Sequence, residues 1–366
     1  MRTDAQRSGK RDRGFTMIEL LVGSAVMLVA VLGALFIYSR SNKVSVEQQM
    51  VSEVQNDVRS SMFFLTRDLR MAGAGLPAEF SGFFLEGWDN EDQGGEIAPD
   101  RVRLMGNIED PLCLRIQSYS GSSVVLFAED FSFEQYPYPD EFYVQKTIVI
   151  LPNPDSGCLA AEVRIVTHVT HDAGGTNEAV NMSPGLAPGV DPPGGLSGTC
   201  PNSSDYAGGS VSLVDVKEYW LDTNGAAAGL TAGVNGYIGG GVGGVLYVTH
   251  NGVHLPLARN VENFQVEYNG DLNNDLLLDG WAPWTATWTP DQVARIQQAR
   301  VWILGRTAEA FTSVGADAPD DVHVYRRPAL SNSPAALVED RHRRFLMEST
   351  ATVRNMNFNV YNINQR

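Results

Sequence analysis

The sequence predicts an α+β chain in which one long N-terminal helix packs on a mainly antiparallel β domain with long loops. Three observations predict it. An uncharged apolar run, Leu20–Tyr38, sits close to the N-terminus. Beyond it Val51, Val54, Val58, Met62, Leu65, Leu69 and Ala72 recur at steps of three and four, which is one face of an amphipathic helix. From there on, short apolar segments alternate with turn residues, as antiparallel strands do.

Residues 1–14 read as a basic leader. Arg2, Arg7, Lys10, Arg11 and Arg13 stand against Asp4 and Asp12, and the leader ends in Gly14. A net charge of about +3 there fits a cytoplasmic N-terminus by the positive-inside rule. The run LLVGSAVMLVAVLGALFIY approaches the ~20 residues that a helix needs to cross a bilayer. It exceeds the ~7–15 apolar residues of a secretory signal and flows into more helix, so it is expected to stay as an anchor. Residues 15–40 are assigned to the membrane half of the helix and 41–76 to its amphipathic half. No proline interrupts Phe15 to Leu76, and Gly73, Gly75 and Pro77 supply the stop. A helix from Thr16 to Ala72 would be on the order of 85 Å long, half in lipid and half on a globular domain.

Glu19 is a lone carboxylate at the mouth of the apolar run. An ionisable group there is functional by default, because it is costly unless something cationic meets it. Thr16-Met17-Ile18-Glu19 also matches a helix capping box, and an acid in the first turn suits the helix dipole. The two roles are compatible.

A basic leader ending in Gly14, then Phe15, Glu19 and a long apolar helix, resembles the type IV prepilin signal. The resemblance implies that a prepilin peptidase cuts between Gly14 and Phe15 and that Phe15 becomes the N-methylated first residue. It implies that Glu19 neutralises the N-terminal amine of a neighbouring subunit in a filament, an attraction far stronger in low dielectric than in water. Three further segments resemble PilW-like minor pilins: Leu65-Thr66-Arg67-Asp68-Leu69-Arg70-Met71-Ala72-Gly73, Leu257–Phe264, and Arg343-Arg344-Phe345 with Ser349, Thr350 and Thr352–Asn355. The long helix lying half in lipid and half on the domain is the pilin plan.

Residues 77–366 are assigned to an extracytoplasmic β-rich domain. Strands are expected at 112–118, 123–128, 146–151, 161–168, 210–221, 245–250, 253–258, 264–268, 299–305 and 352–358. Asn251-Gly252 is a strong two-residue hairpin signal between two of them. Thr289-Pro290 reads as an N-cap with proline at the first helical position, opening a short helix. Gly- and Pro-rich stretches near 172–209 and 224–244 read as surface insertions, since loops this long are uncommon in a compact domain.

The formal charge of −16 argues against nucleic acid and anionic lipid as partners, since both need a basic patch. Three cysteines allow one disulfide in an exported domain. Cys158 and Cys200 look like loop residues flanking one insertion and are the expected pair, while Cys113 resembles a buried strand residue. No C-x-x-C spacing supports zinc or redox chemistry.

Asp271, Asn273, Asp275 and Asp279 reproduce the D-x-N-x-D-x-x-x-D spacing of calcium loops, with the Leu277 carbonyl in the seventh position. Leu276 replaces the turn glycine and Ala282 the bidentate acid, so Glu262 or Glu267 would have to complete a Ca2+ site. The alternative is an acidic Asn/Asp turn between strands. His168 and His171, three apart on a strand, would face opposite sides of the sheet. Trp281, Trp284 and Trp288 read as packing rather than a stacking surface. No nucleophile or phosphate-loop motif is present, so no enzyme activity is expected.

The expectation is therefore a PilW-like minor pilin, held in the bacterial inner membrane by one span before assembly and displayed on a periplasmic or cell-surface pilus afterwards, near the tip. Its implied partners are prepilin peptidase, other minor pilins, the major pilin and a tip adhesin. The J-type minor pseudopilin of type II secretion and a membrane-anchored binding module are the competing readings.

Overall fold

The computed structural model describes residues 15–74, 84–89, 98–108, 113–120, 123–127, 146–158, 162–171, 177–182, 203–223, 244–250, 253–310, 324–335 and 339–353. Helix α1 runs Met17–Met71, 55 residues and about 80 Å at ~1.5 Å per residue. Thr16 caps it, and Gly73, with φ of 78°, takes the left-handed turn that ends it. The buried stripe of α1 is Val54, Val58, Ser61, Leu65, Asp68 and Ala72, at alternating steps of four and three. That stripe lies on the sheet; the first half of the helix is exposed among the described residues.

Among the described residues fifteen strands and one short α-helix follow: β1 (Leu85–Trp88), β2 (Arg101–Gly106), β3 (Cys113–Ser120), β4 (Ser123–Phe127), β5 (Thr147–Leu151), β6 (Glu162–His171), β7 (Asn177–Met182), β8 (Ser210–Asp222), β9 (Gly244–His250), β10 (Val253–Gly270), β11 (Ala282–Pro283), α2 (Pro290–Ala294), β12 (Ile296–Arg306), β13 (Tyr325–Arg326), β14 (Glu339–Asp340) and β15 (Arg344–Thr352). Every pairing among them is antiparallel.

The main sheet has the order β15-β12-β10-β9-β8-β2-β1, and α1 packs across β15, β12, β10 and β2. Strand β8 then does double duty. Its residues 215–222 lie between β2 and β9, while residues 210–214 pair with β3 and β5. Because β3 pairs with β4, β4 with β7, β7 with β6 and β6 with β5, these five strands close on β8 as a six-stranded barrel. Its interior holds Ile116, Val124, Leu126, Ile148, Ile150 and Val166. Closure removes the free edges that an open sheet would expose.

Several expectations shift here. The predicted strands 253–258 and 264–268 are one strand, β10, because Asn260 adopts φ of 56° at a bulge and the ladder continues past it. The register pairs Val253 with His250 across the predicted hairpin, and Thr289 caps α2 with the full reciprocal capping box. Strand β7 falls inside the stretch 172–209 that composition marked as loop: its sequence NEAVNM is too polar to signal a strand alone, but it is ordered by β4 on one side and β6 on the other. The C-terminal strand ends at Thr352 rather than starting there, and residues 354–358 of the expected 352–358 strand lie outside the described residues. The expected insertion at 224–244 also lies outside them except for Gly244, the first residue of β9.

At Gly305 of β12 the helix lies close against the sheet. A Cβ there would come within 2.7 Å of Val54 and 2.8 Å of Val58, both β-branched and stiff. Gly305→Ala is expected to destabilise by about 1–3 kcal/mol through overpacking. Thermal unfolding of the detergent-solubilised protein, followed by near-ultraviolet circular dichroism, would show a lower midpoint. An unchanged midpoint would mean that the helix is seated elsewhere.

Candidate functional site

Two features define the working end of this molecule: the first turn of α1 and the length of bare helix behind it. Gly14 lies outside the described residues. Phe15 is exposed, and Thr16 begins the helix. The carboxylate of Glu19 accepts hydrogen bonds from the Thr16 amide and hydroxyl, both at 2.9 Å through Oε2, and the Glu19 amide donates to the Thr16 hydroxyl at 3.2 Å. The capping-box role is thus realised. It engages one carboxylate oxygen and leaves the negative charge unanswered by any cation among the described residues.

From Phe15 to Tyr38, sixteen large apolar side chains are exposed. Burying each is worth about 1.5–3 kcal/mol, so leaving them all in water would cost tens of kcal/mol. Only a bilayer or other apolar helices can cover such a surface. Among the described residues, α1 is the single helix long and apolar enough to cross a membrane.

The second half of α1 is anchored by a buried charge cluster. Asp68 is buried, and its Oδ2 receives the Lys217 ammonium at 3.0 Å and the Tyr219 hydroxyl at 2.6 Å, while Arg67 meets Oδ1 at 2.8 Å. The sequence reading missed this cluster. The signal was available: Asp68 stands three after Leu65 and four before Ala72, on the apolar stripe where a lone acid demands a partner. A second network joins Glu262 and Asp340 to Arg344, at 3.0 and 2.6 Å. Burial by itself would lower the Arg344 pKa, but the bonds to these two carboxylates outweigh it and hold the guanidinium charged. Asp68, Glu262 and Arg344 all belong to the three segments that carry the PilW-like resemblance, and all three hold the helix-and-sheet frame together.

The loop after β10 contains Asp271, Asn273, Asp275, Leu277 and Asp279. Its oxygens are turned onto its own amides. Asp271 accepts from the amides of Asp275 and Leu276 at 2.9 Å, Asp275 accepts from Leu277 at 2.8 Å, and Asp279 accepts from Leu272 at 2.6 Å. Leu276, where a calcium loop has glycine, takes φ of 70°. Glu262 is held by Arg344, and Glu267 by Arg300 at 2.7 Å and Ser331 at 2.6 Å, so neither turns to the loop as the missing ligand. Among the described residues no group of three or more His, Cys, Asp or Glu converges on a metal position. The acidic Asn/Asp turn is what these contacts build.

Trp284 and Trp288 meet edge to face and both abut Tyr268 at the margin of the main core, while Arg300 lies over Trp281 at 4.4 Å. These are packing contacts. Cys158 is disulfide-bonded; Cys200 lies outside the described residues. His168 and His171 share β6, where a bulge follows Val166.

Residues 9–35 match the family described as the prokaryotic N-terminal methylation motif. The pilin-like protein PilA3 of Thermus thermophilus is 37% identical over 62 residues, 17% of this chain and 27% of that protein, so the chain spans about a quarter of the relative's length. A solved type IV-like pilin, also from Thermus thermophilus, aligns over 82% of this chain and 96% of its own at 12% identity, with a TM-score of 0.34.

Proposed function

We propose that this chain, which carries a prepilin-type methylation motif on a long apolar helix, is a PilW-like minor pilin. It is processed between Gly14 and Phe15 and built into a type IV pilus at or near its tip. The observation that carries the reading is the junction of that motif, over residues 9–35, with a helix that is bare for half its length. Such a helix has two apolar environments open to it, the bilayer and a bundle of like helices. Transfer from the first to the second needs no exposure to water if extraction and packing are coupled. The subunit waits in the inner membrane with its β domain outside the cytoplasm, where the Cys158 disulfide is permitted; Cys200 is the partner we propose for it. Prepilin peptidase and other pilins are the partners that this pathway requires, and a tip adhesin would meet the β domain.

Mass spectrometry of the mature N-terminus tests the reading. The expected product begins with N-methylated Phe15. An intact leader, or a cut beyond Tyr38, would overturn it.

A further inference from the structure

We propose that the outer edge of β15 is a docking seat for an extended segment of a different polypeptide, which adds a strand to the main sheet and turns apolar and acidic side chains toward the bordering flank of α1. The proposal concerns the β domain and goes beyond the assembly reading above, on which it does not depend. Closure removes the edges of the barrel, but the main sheet ends in β15. Among the described residues its nine residues pair with β12 alone, in one register without a bulge. It holds no proline and no lysine, the residues that commonly blunt a sheet edge.

The register shows which backbone groups that edge offers. Just beyond the two ends of the ladder, Val353 donates to the Gln297 carbonyl and Thr307 to the Arg343 carbonyl, each at 2.9 Å. Bonded pairs alternate along an antiparallel ladder, so the odd-numbered residues of β15 are the ones that bond β12. The amides and carbonyls of Leu346, Glu348 and Thr350 therefore point outward. None of these groups has a hydrogen-bond partner among the described residues. They repeat at about 6.8 Å, the two-residue spacing of any incoming strand.

Helix α1 supplies the second observation. Arg59 lies over the Phe345 ring at 5.6 Å, which fixes the flank of α1 that borders β15. At about 100° per residue, Phe63 and Arg70 fall on that same flank. Phe63 is 64% exposed, and both arginines are exposed and form no ion pair among the described residues. In an added strand the residues that bond β15 carry their side chains to the outer face, as Leu346 does. The residues between them face the α1 side, as Phe345 does. An apolar side chain there covers Phe63, and an acidic one meets Arg59 or Arg70. A second copy does not fit. Pairing two β15 edges antiparallel needs a two-fold axis normal to the sheet, and that axis would point the two α1 helices in opposite directions, which one membrane does not allow.

The test is binding of a synthetic peptide to the full-length, detergent-solubilised protein, followed by fluorescence anisotropy. The peptide has the nine-residue length of β15, with threonine at alternate positions and glutamate and valine taking turns between them. Methylating the backbone nitrogens of its glutamates and valines is expected to leave binding intact, since those amides face away from β15. Methylating those of its threonines is expected to weaken binding by roughly tenfold or more. Thr350→Pro removes an outward amide and spares the β12 ladder, and is expected to cost roughly tenfold. Phe63→Ala, or lysine in place of the peptide's glutamates, is expected to cost a similar factor. Absence of binding, a methylation preference that is missing or reversed, or binding unchanged by Thr350→Pro would overturn the seat. Self-association of the protein that Thr350→Pro abolishes would overturn it too, by making a second copy the occupant. Methylation at Phe15 and the effect of Glu19 are read separately and bear on the assembly reading alone.

Discussion

Glu19→Ala is expected to abolish recovery of the chain in sheared pili while the protein still accumulates in the membrane. The magnitude separates the two roles of this residue. Losing a capping interaction costs about 0.5–2 kcal/mol, which a helix of 55 residues absorbs without losing its fold. Leaving a neighbour's ammonium buried and unanswered costs about 3–5 kcal/mol, roughly two to four orders of magnitude in association. Glu19→Gln decides between them. Glutamine serves the capping box as well as glutamate does, keeping the acceptor for the Thr16 amide, but it has no charge. Both variants are expected to fail in pili. Wild-type incorporation of the glutamine variant would reduce Glu19 to a cap and remove the charge-pairing step from the proposed mechanism.

Asp68→Ala is expected to destabilise the β domain by about 3–5 kcal/mol, because it strands the Lys217 ammonium and the Tyr219 hydroxyl in the core. Against a typical total of about 5–15 kcal/mol, that brings the domain near unfolding. The pair is a frame element rather than a source of net stability, so the double variant Asp68→Leu with Lys217→Met is expected to recover most of the loss. Denaturant unfolding of the two single variants and the double variant supplies the cycle. If Asp68→Ala unfolds at the wild-type midpoint, the helix is not held by this charge cluster.

Much of this molecule was legible in its residues. The helix was expected from Thr16 to Ala72, and those two residues are its N-cap and C-cap. Nine of the ten expected strands fall on eight observed ones, two of them being parts of β10, and the N-cap and first-turn proline of α2 were readable from Thr289-Pro290. The short strands β1, β2 and β7 were not, since each is held by neighbours rather than by its own propensity. The acidic loop at Asp271–Asp279 showed a calcium spacing, yet the same Asp and Asn side chains serve as well to fold a turn onto its own amides, and spacing does not choose between those uses.

What the sequence determined by itself is the N-terminal end: the positive leader, the membrane run, the acid at its mouth and the methylation motif. Each of these depends on contiguous residues and on their transfer between water and lipid, with no need of a distant partner. What only the tertiary structure decided is how β8 belongs to a sheet and a barrel at once, and that Asp68 meets Lys217 across 149 residues of chain. Alternation tells which face of a strand is buried but not which strand lies beside it, and a buried charge announces a need without naming what answers it.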